Sequence, residues 1–104
     1  MLGLVVRFEL RDAGAAEAFD ALVRETVEQI MISEPGTLVY VTHTVEDAPL
    51  SRVFYEVYRD RTAFEAHEQQ PHTVRFLRER ESYVTSFRVE FLAPAAAKGL
   101  QEAA

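Results

Sequence analysis

The chain contains no cysteine. It therefore has no disulfide framework, no thiolate nucleophile and no cysteine metal site, and its redox compartment stays open. Glycine is scarce as well: four in 104 residues, none spaced as a phosphate-cradling loop, which removes a nucleotide fingerprint. No Gly-x-Ser-x-Gly nucleophile elbow is present. An excess of basic charge is also missing. The net charge is −6, whereas a phosphate backbone demands Lys and Arg that outweigh the local acids, so no nucleic-acid partner is expected. Arg75, Arg78 and Arg80 do cluster, but Glu79 and Glu81 interleave with them in the manner of a solvated helix face. Long hydrophobic runs are absent too. The opening Met1-Leu2-Gly3-Leu4-Val5-Val6 is apolar only until Arg7 and lacks a basic leader, so it reads as a strand rather than a signal peptide or a membrane span. A cytoplasmic protein without a membrane partner is the expectation.

What is present is the composition of an ordinary globular protein, 48% hydrophobic and 27% charged. Residues 1–93 read as one domain, large enough to bury a core, and residues 94–104 as an alanine-rich tail with no obligatory core role. Leu2, Leu4, Val6, Phe8 and Leu10 alternate with Gly3, Val5, Arg7, Glu9 and Arg11, the period of a strand. After Asp12-Ala13-Gly14, the residues Phe19, Leu22, Val23, Thr26, Val27, Ile30 and Met31 recur at helical spacing, and Glu34-Pro35-Gly36 ends that helix.

Residues 37 to 45 and 52 to 59 then form two strands of a hairpin around the polar turn Glu46-Asp47-Ala48-Pro49. A helical region follows over residues 62 to about 82, split near Pro71, and residues 83 to 92 make a last strand with Tyr83, Thr85, Phe87, Val89 and Phe91 on its apolar face. The order strand, helix, strand, strand, helix, strand is the ferredoxin-like split arrangement: an α+β fold, βαββαβ, with a four-stranded antiparallel sheet. Helices cover one sheet face only in that topology. The other is assigned Val5, Leu38, Tyr40, Phe54 and Tyr58, and bulk of that kind points to a homodimer packed sheet to sheet.

Candidate chemistry concentrates in residues 54 to 72. Glu56 stands between Tyr55 and Val57 in a strand placed centrally, where burial would raise its pKa and make it a base; an ion pair with Arg7 on the neighbouring strand is the competing reading. His67 follows Phe64 by three residues and Ala63 by four, so it is either a functional group or a member of the helix's buried stripe hydrogen-bonded to backbone. His72 comes directly after Pro71, where a side chain either caps a helix or points into a cavity. His43 has no motif around it. The run His67-Glu68-Gln69-Gln70-Pro71-His72 brings the second histidine one residue too late for a zinc-protease helix, and the proline disrupts the alignment, so no metal site is expected. Phe8, Tyr55, Phe76 and Tyr83 are core by default and supply the walls of any pocket between helices and sheet.

The pieces Glu34-Pro35-Gly36-Thr37-Leu38, Phe54-Tyr55-Glu56-Val57-Tyr58-Arg59-Asp60, Phe64-Glu65-Ala66-His67 and Pro71-His72, taken in order, resemble the antibiotic biosynthesis monooxygenase family of dimeric α+β barrels over residues 2 to about 92. The resemblance implies several chemistries: cofactor-free oxygenation of quinols and anthrone-like polyketides, haem degradation, or isomerisation of a signalling sugar. Haem-degrading members pair a helix histidine with asparagine and tryptophan, and this chain has neither. The leading expectation is a homodimeric monooxygenase without cofactor that takes a small aromatic substrate and O2. His72 would be the base, the resemblance favouring its placement in the cavity, with His67 and Glu56 beside it, and Phe8, Tyr55, Phe76, Tyr83 and Arg7 would contact the substrate. An isomerase or epimerase, or a non-catalytic dimeric binding module, are the alternatives.

Overall fold

The computed structural model describes residues 1–100; the end of the tail, residues 101–104, lies outside them. The elements run β1 (Leu2–Leu10), α1 (Ala13–Ser33), β2 (Thr37–Val45), β3 (Ala48–Tyr58), α2 (Arg61–Glu68), α3 (Pro71–Glu79), a 3₁₀ turn (Arg80–Ser82) and β4 (Val84–Leu92). All strand pairs are antiparallel and the sheet order is β2-β3-β1-β4. This is the expected α+β, ferredoxin-like topology.

Each half starts in the same way. Strands β1 and β3 are both followed by an Arg-Asp pair, and Asp12 and Asp60 each accept a hydrogen bond from a backbone N–H three residues on, at 2.8 Å. An aspartate there satisfies one of the orphan donors of the first turn and starts the helix. The first helix runs 21 residues. The second is broken, because proline is tolerated only at the start of a new helix, and Pro71 stands at that position in α3.

The helices α1, α2 and α3 lie on one sheet face, and the core fills the space between. Phe8 on β1 is its centre, with the rings of Phe54 at 4.8 Å and Phe19 at 5.3 Å. Phe8, Phe19 and Phe54 are all within 1% of complete burial. Aromatic residues at this depth contribute both area and ring-pair geometry to the packing.

The register corrects the assignment of faces. Leu4 stands opposite Glu56, and Glu56 opposite Tyr40, while Val6 stands opposite Phe54. Tyr40, Phe54, Glu56 and Tyr58 therefore share the helix-covered face with Leu4, Val6 and Phe8. Leu38 falls at a register shift of β2 and is 38% exposed. The outer face carries a different apolar set, Val5, Val39, Val41, Val53, Tyr55 and Val57. Both faces of β3 are apolar, so alternation alone could not say which one the helices cover.

Two boundaries also move. Strand β3 begins at Ala48, so the turn is only Glu46-Asp47, with Asp47 at φ 60° in left-handed geometry. Aspartate tolerates that conformation and makes a two-residue connection feasible. At the other end, Tyr83 closes the 3₁₀ turn and precedes β4. Met31, expected on the buried stripe of α1, is 81% exposed.

Candidate functional site

Between the sheet and the two short helices lies a cavity of about 250 Å³. Its floor is Leu4, Val6 and Phe8 of β1, Phe54 and Glu56 of β3, and Phe87, Val89 and Phe91 of β4. Phe64 and His67 of α2, together with Thr73, Phe76 and Leu77 of α3, make the roof, and Tyr40 and Arg80 stand at its sides. The rim on β4 is open: Phe87 and Phe91 are 52% and 53% exposed. A concave, mostly apolar space with a few convergent polar groups is the usual form of a small-molecule site.

His67 is 6% exposed and its ring Nδ1 lies 2.7 Å from Glu34 Oε1. The partner is thus a carboxylate and not the backbone. The loop after α1 brings it there. Pro35 and Gly36 turn the chain against α2 so closely that a Cβ on Gly36 would meet the Cβ of Ala63 at 2.7 Å. Only glycine permits that approach. Thr37 Oγ1 donates to Glu34 Oε1 at 2.8 Å, and His72 Nε2 contacts the other carboxylate oxygen. A buried charge needs partners of this kind. With Nδ1 directed at Glu34, His67 has Nε2 as its free nitrogen; it has no hydrogen-bond partner among the described residues and is not a fully sealed atom.

Burial depresses the His67 pKa, against the opposing pull of Glu34. Glu56 behaves in the opposite sense. Burial is the main cause that raises its carboxyl to about 7, and the charge of Glu34 adds to it, although Tyr58 donates a 2.5 Å hydrogen bond that favours the ionised form. The phenols of Tyr40 and Tyr58 are held neutral, again chiefly by burial and then by the nearby carboxylate of Glu56. Their rings lie 5.7 Å and 5.2 Å from the His67 ring. A histidine pushed towards its neutral form by burial and a carboxyl raised to about 7 thus line one apolar space, a pattern associated with acid–base chemistry.

Not every residue expected at the site is there. Phe8, Phe76, Glu56 and His67 line the cavity. His72 does not; it lies in a shallow groove between α1 and α3 with Glu25, Glu28 and Arg75. Tyr83 packs against the core beside the 3₁₀ turn. Arg7 and Tyr55 lie on the outer sheet face, where Arg7 pairs with Glu9 at 2.7 Å. The Arg7–Glu56 ion pair is consequently not formed.

Two residues that matter were passed over in the sequence. Glu34 was taken as part of a helix stop and of the family resemblance, with no role at the site. Arg80 was grouped with a solvated face, but the 3₁₀ turn re-aims it, and its guanidinium sits 4.4 Å from the Phe87 ring centroid and 5.6 Å from that of Phe8. Burial lowers its pKa, yet arginine stays charged in a protein. It is the one cationic side chain among the described residues that lines the cavity.

Fold and cavity together define a small α+β domain whose mostly apolar cavity is lined by a buried imidazole and a buried carboxyl. The sequence model for antibiotic biosynthesis monooxygenase matches residues 1–79, and the chain belongs to that family. Solved structures agree in fold. A Bacteroides thetaiotaomicron protein provisionally described as an antibiotic biosynthesis monooxygenase superposes with a TM-score of 0.86 at 24% identity, over 96% of this chain and 93% of that one. Rv0793 from Mycobacterium tuberculosis gives 0.84 at 26% identity, over 92% and 96%. A Lactobacillus acidophilus protein provisionally described as a monooxygenase gives 0.83 at 30% identity, over 88% of this chain but 43% of its own. No functionally curated protein matches the sequence.

Proposed function

We propose that this protein is a monooxygenase that oxidises an electron-rich aromatic, a hydroquinone or an anthrone-like polyketide, with O2 and without a cofactor of its own. The observation that carries the reading is that His67, whose Nε2 has no partner among the described residues, lines an aromatic-walled cavity that also holds Arg80. His67 Nε2 takes the acidic proton of the substrate. The resulting anion is rich enough in electrons to pass one to O2, and recombination of the radical pair forms a carbon–oxygen bond. The proton held by His67 then returns to the peroxide, and as the O–O bond breaks the oxygenated carbon gives up its remaining hydrogen, so that the second oxygen leaves as water. One oxygen atom ends in the product and the other in water, and the substrate itself supplies the electrons, so no external reductant enters the balance. Arg80 stabilises the anion, a task suited to a charge held in an apolar surround.

Aromatic rings on both sides of the cavity favour a flat substrate. The test is oxygen uptake by exhaustively chelated protein given a reduced naphthoquinol or an anthrone. Uptake with one oxygen atom incorporated into product is the expected result; activity that vanishes on chelation and returns with one metal would refute the cofactor-free part.

The outer sheet face supports a further part of the reading, a homodimer. Val5, Val39, Val41, Val53 and Tyr55 form a contiguous apolar patch of a kind that monomers rarely leave open. Light scattering at micromolar concentration should give twice the 11.8 kDa chain mass. A well-folded monomer at that concentration would exclude it.

A further inference from the structure

Glu56 is the one polar side chain on the cavity floor, and proton transfer through His67 leaves it without a task. It is 5% exposed, and Tyr58, fully buried on the same face of β3, donates to its Oε1 at 2.5 Å. Oε2 has no hydrogen-bond partner among the described residues and is not a fully sealed atom. A buried carboxyl with a purely structural task has its oxygens engaged. Here one oxygen is spare beside a space of ligand size. Because Tyr58 gives its proton to Oε1, the carboxyl's own proton belongs on Oε2, the atom left over.

We propose that Glu56 is a second catalytic residue, the general acid that protonates the departing oxygen when the O–O bond breaks. This rests on the proposed function and deepens it. At the hydroperoxide stage His67 is neutral again and Glu56 carries its proton on Oε2. His67 Nε2 takes the remaining hydrogen of the oxygenated carbon as a proton, and the electron pair of that C–H bond becomes the second bond of a carbonyl. The electrons of the O–O bond stay with the outer oxygen, which already holds one proton, takes the second from Oε2 and leaves as water. That water then carries a proton from His67 Nε2 to Glu56 Oε2, so both groups return to their starting forms. The carbon is oxidised, the peroxide oxygen is reduced, and no further reactant enters.

The surroundings keep that proton in place. Burial, opposed by Tyr58 and aided by the charge of Glu34, raises the carboxyl to about 7, so it remains an acid where an ordinary carboxyl of 4.5 is ionised. Tyr40 stands opposite it on β2 with a neutral phenol. His67 and Glu68 of α2 share the cavity, while α3, β1 and β4 bring no titratable side chain to it. Arg80 lines the cavity too, but its guanidinium packs on the Phe8 and Phe87 rings and forms no ion pair with Glu56. A general acid works best with a pKa near the working pH.

The test follows the hydroperoxide in single turnovers with anthrone, whose attacked carbon keeps one hydrogen after oxygen adds. Glu56→Gln fills the same volume and still accepts from Tyr58, but its amide gives up no proton. Conversion of hydroperoxide to quinone should slow by about 10²-fold in this variant, the scale on which a positioned acid acts, so that the peroxide becomes visible. In the parent the hydroperoxide share should rise as pH passes about 7, against the trend in free solution, where hydroxide speeds the decay of such peroxides. Conversion at the parental rate in folded Glu56→Gln protein would overturn the role. So would a ¹³C titration, made without any substrate, that finds the Glu56 carboxyl ionising near its ordinary 4.5. Absence of oxygen uptake by the parent with anthrone or a naphthoquinol would show before any variant is compared, and would count against the reaction itself and this step with it.

Discussion

Replacement of His67 by Ala should lower kcat for oxygen uptake by about 10²- to 10⁴-fold, the range that a positioned general base contributes. His67→Gln is the companion variant. Its amide can still donate to Glu34, so the carboxylate keeps a partner, but it cannot take the substrate's proton. Equal losses in both would assign the effect to proton transfer and not to an abandoned buried carboxylate. Because burial depresses the His67 pKa, the acid limb of the rate profile should lie below the ordinary imidazole value of about 6.5. Full activity in a folded His67→Gln variant would transfer the role of base to Glu56, the buried carboxyl at the cavity.

Glu56 should govern how stability depends on pH. Its folded-state pKa of about 7 is above the ordinary 4.5, so the folded protein holds this proton more tightly than the unfolded chain does. Stability should therefore fall as pH rises from about 4.5 to about 7 and level off above, as the buried carboxyl is forced to ionise. The shift corresponds to something on the order of 3 kcal/mol. Glu56→Gln removes the ionisation, while its side-chain oxygen still accepts from Tyr58. The variant should be more stable than the parent at pH 8 by an amount of that order, and the two should converge below pH 4.5. Urea denaturation across this range measures it, and a parent no less stable than the variant at pH 8 would contradict the assignment.

The architecture was readable because it rests on local pattern. Alternation gave β1, helical spacing gave α1, and Pro71 marked the break that separates α2 from α3. Positions along the site were harder, since each depends on how distant pieces meet. Glu56 and His67, for each of which the sequence left a functional and a structural reading open, both line the cavity. His72 was put in the cavity by the family resemblance, but as the second residue of a new helix it lines another groove. Tyr55 and Arg7 were misplaced because strand alternation fixes which residues share a face and not which face the helices choose. No local rule could show that Glu34 reaches His67 across 33 residues. The nearest signal was Gly36, and its meaning depends on Ala63, which sequence spacing does not reveal.

The roof of the cavity consists of helices of eight and nine residues. Helices shorter than about 12 to 15 residues are marginal on their own in water, because the first turn costs more order than it returns in hydrogen bonds. α2 and α3 therefore persist only as long as Phe64 and Phe76 stay docked on the sheet. The base, its carboxylate partner and the enclosing wall are thus secured by one cooperative event, and a loosened roof cannot leave behind a half-assembled site that exposes a reactive anion to water.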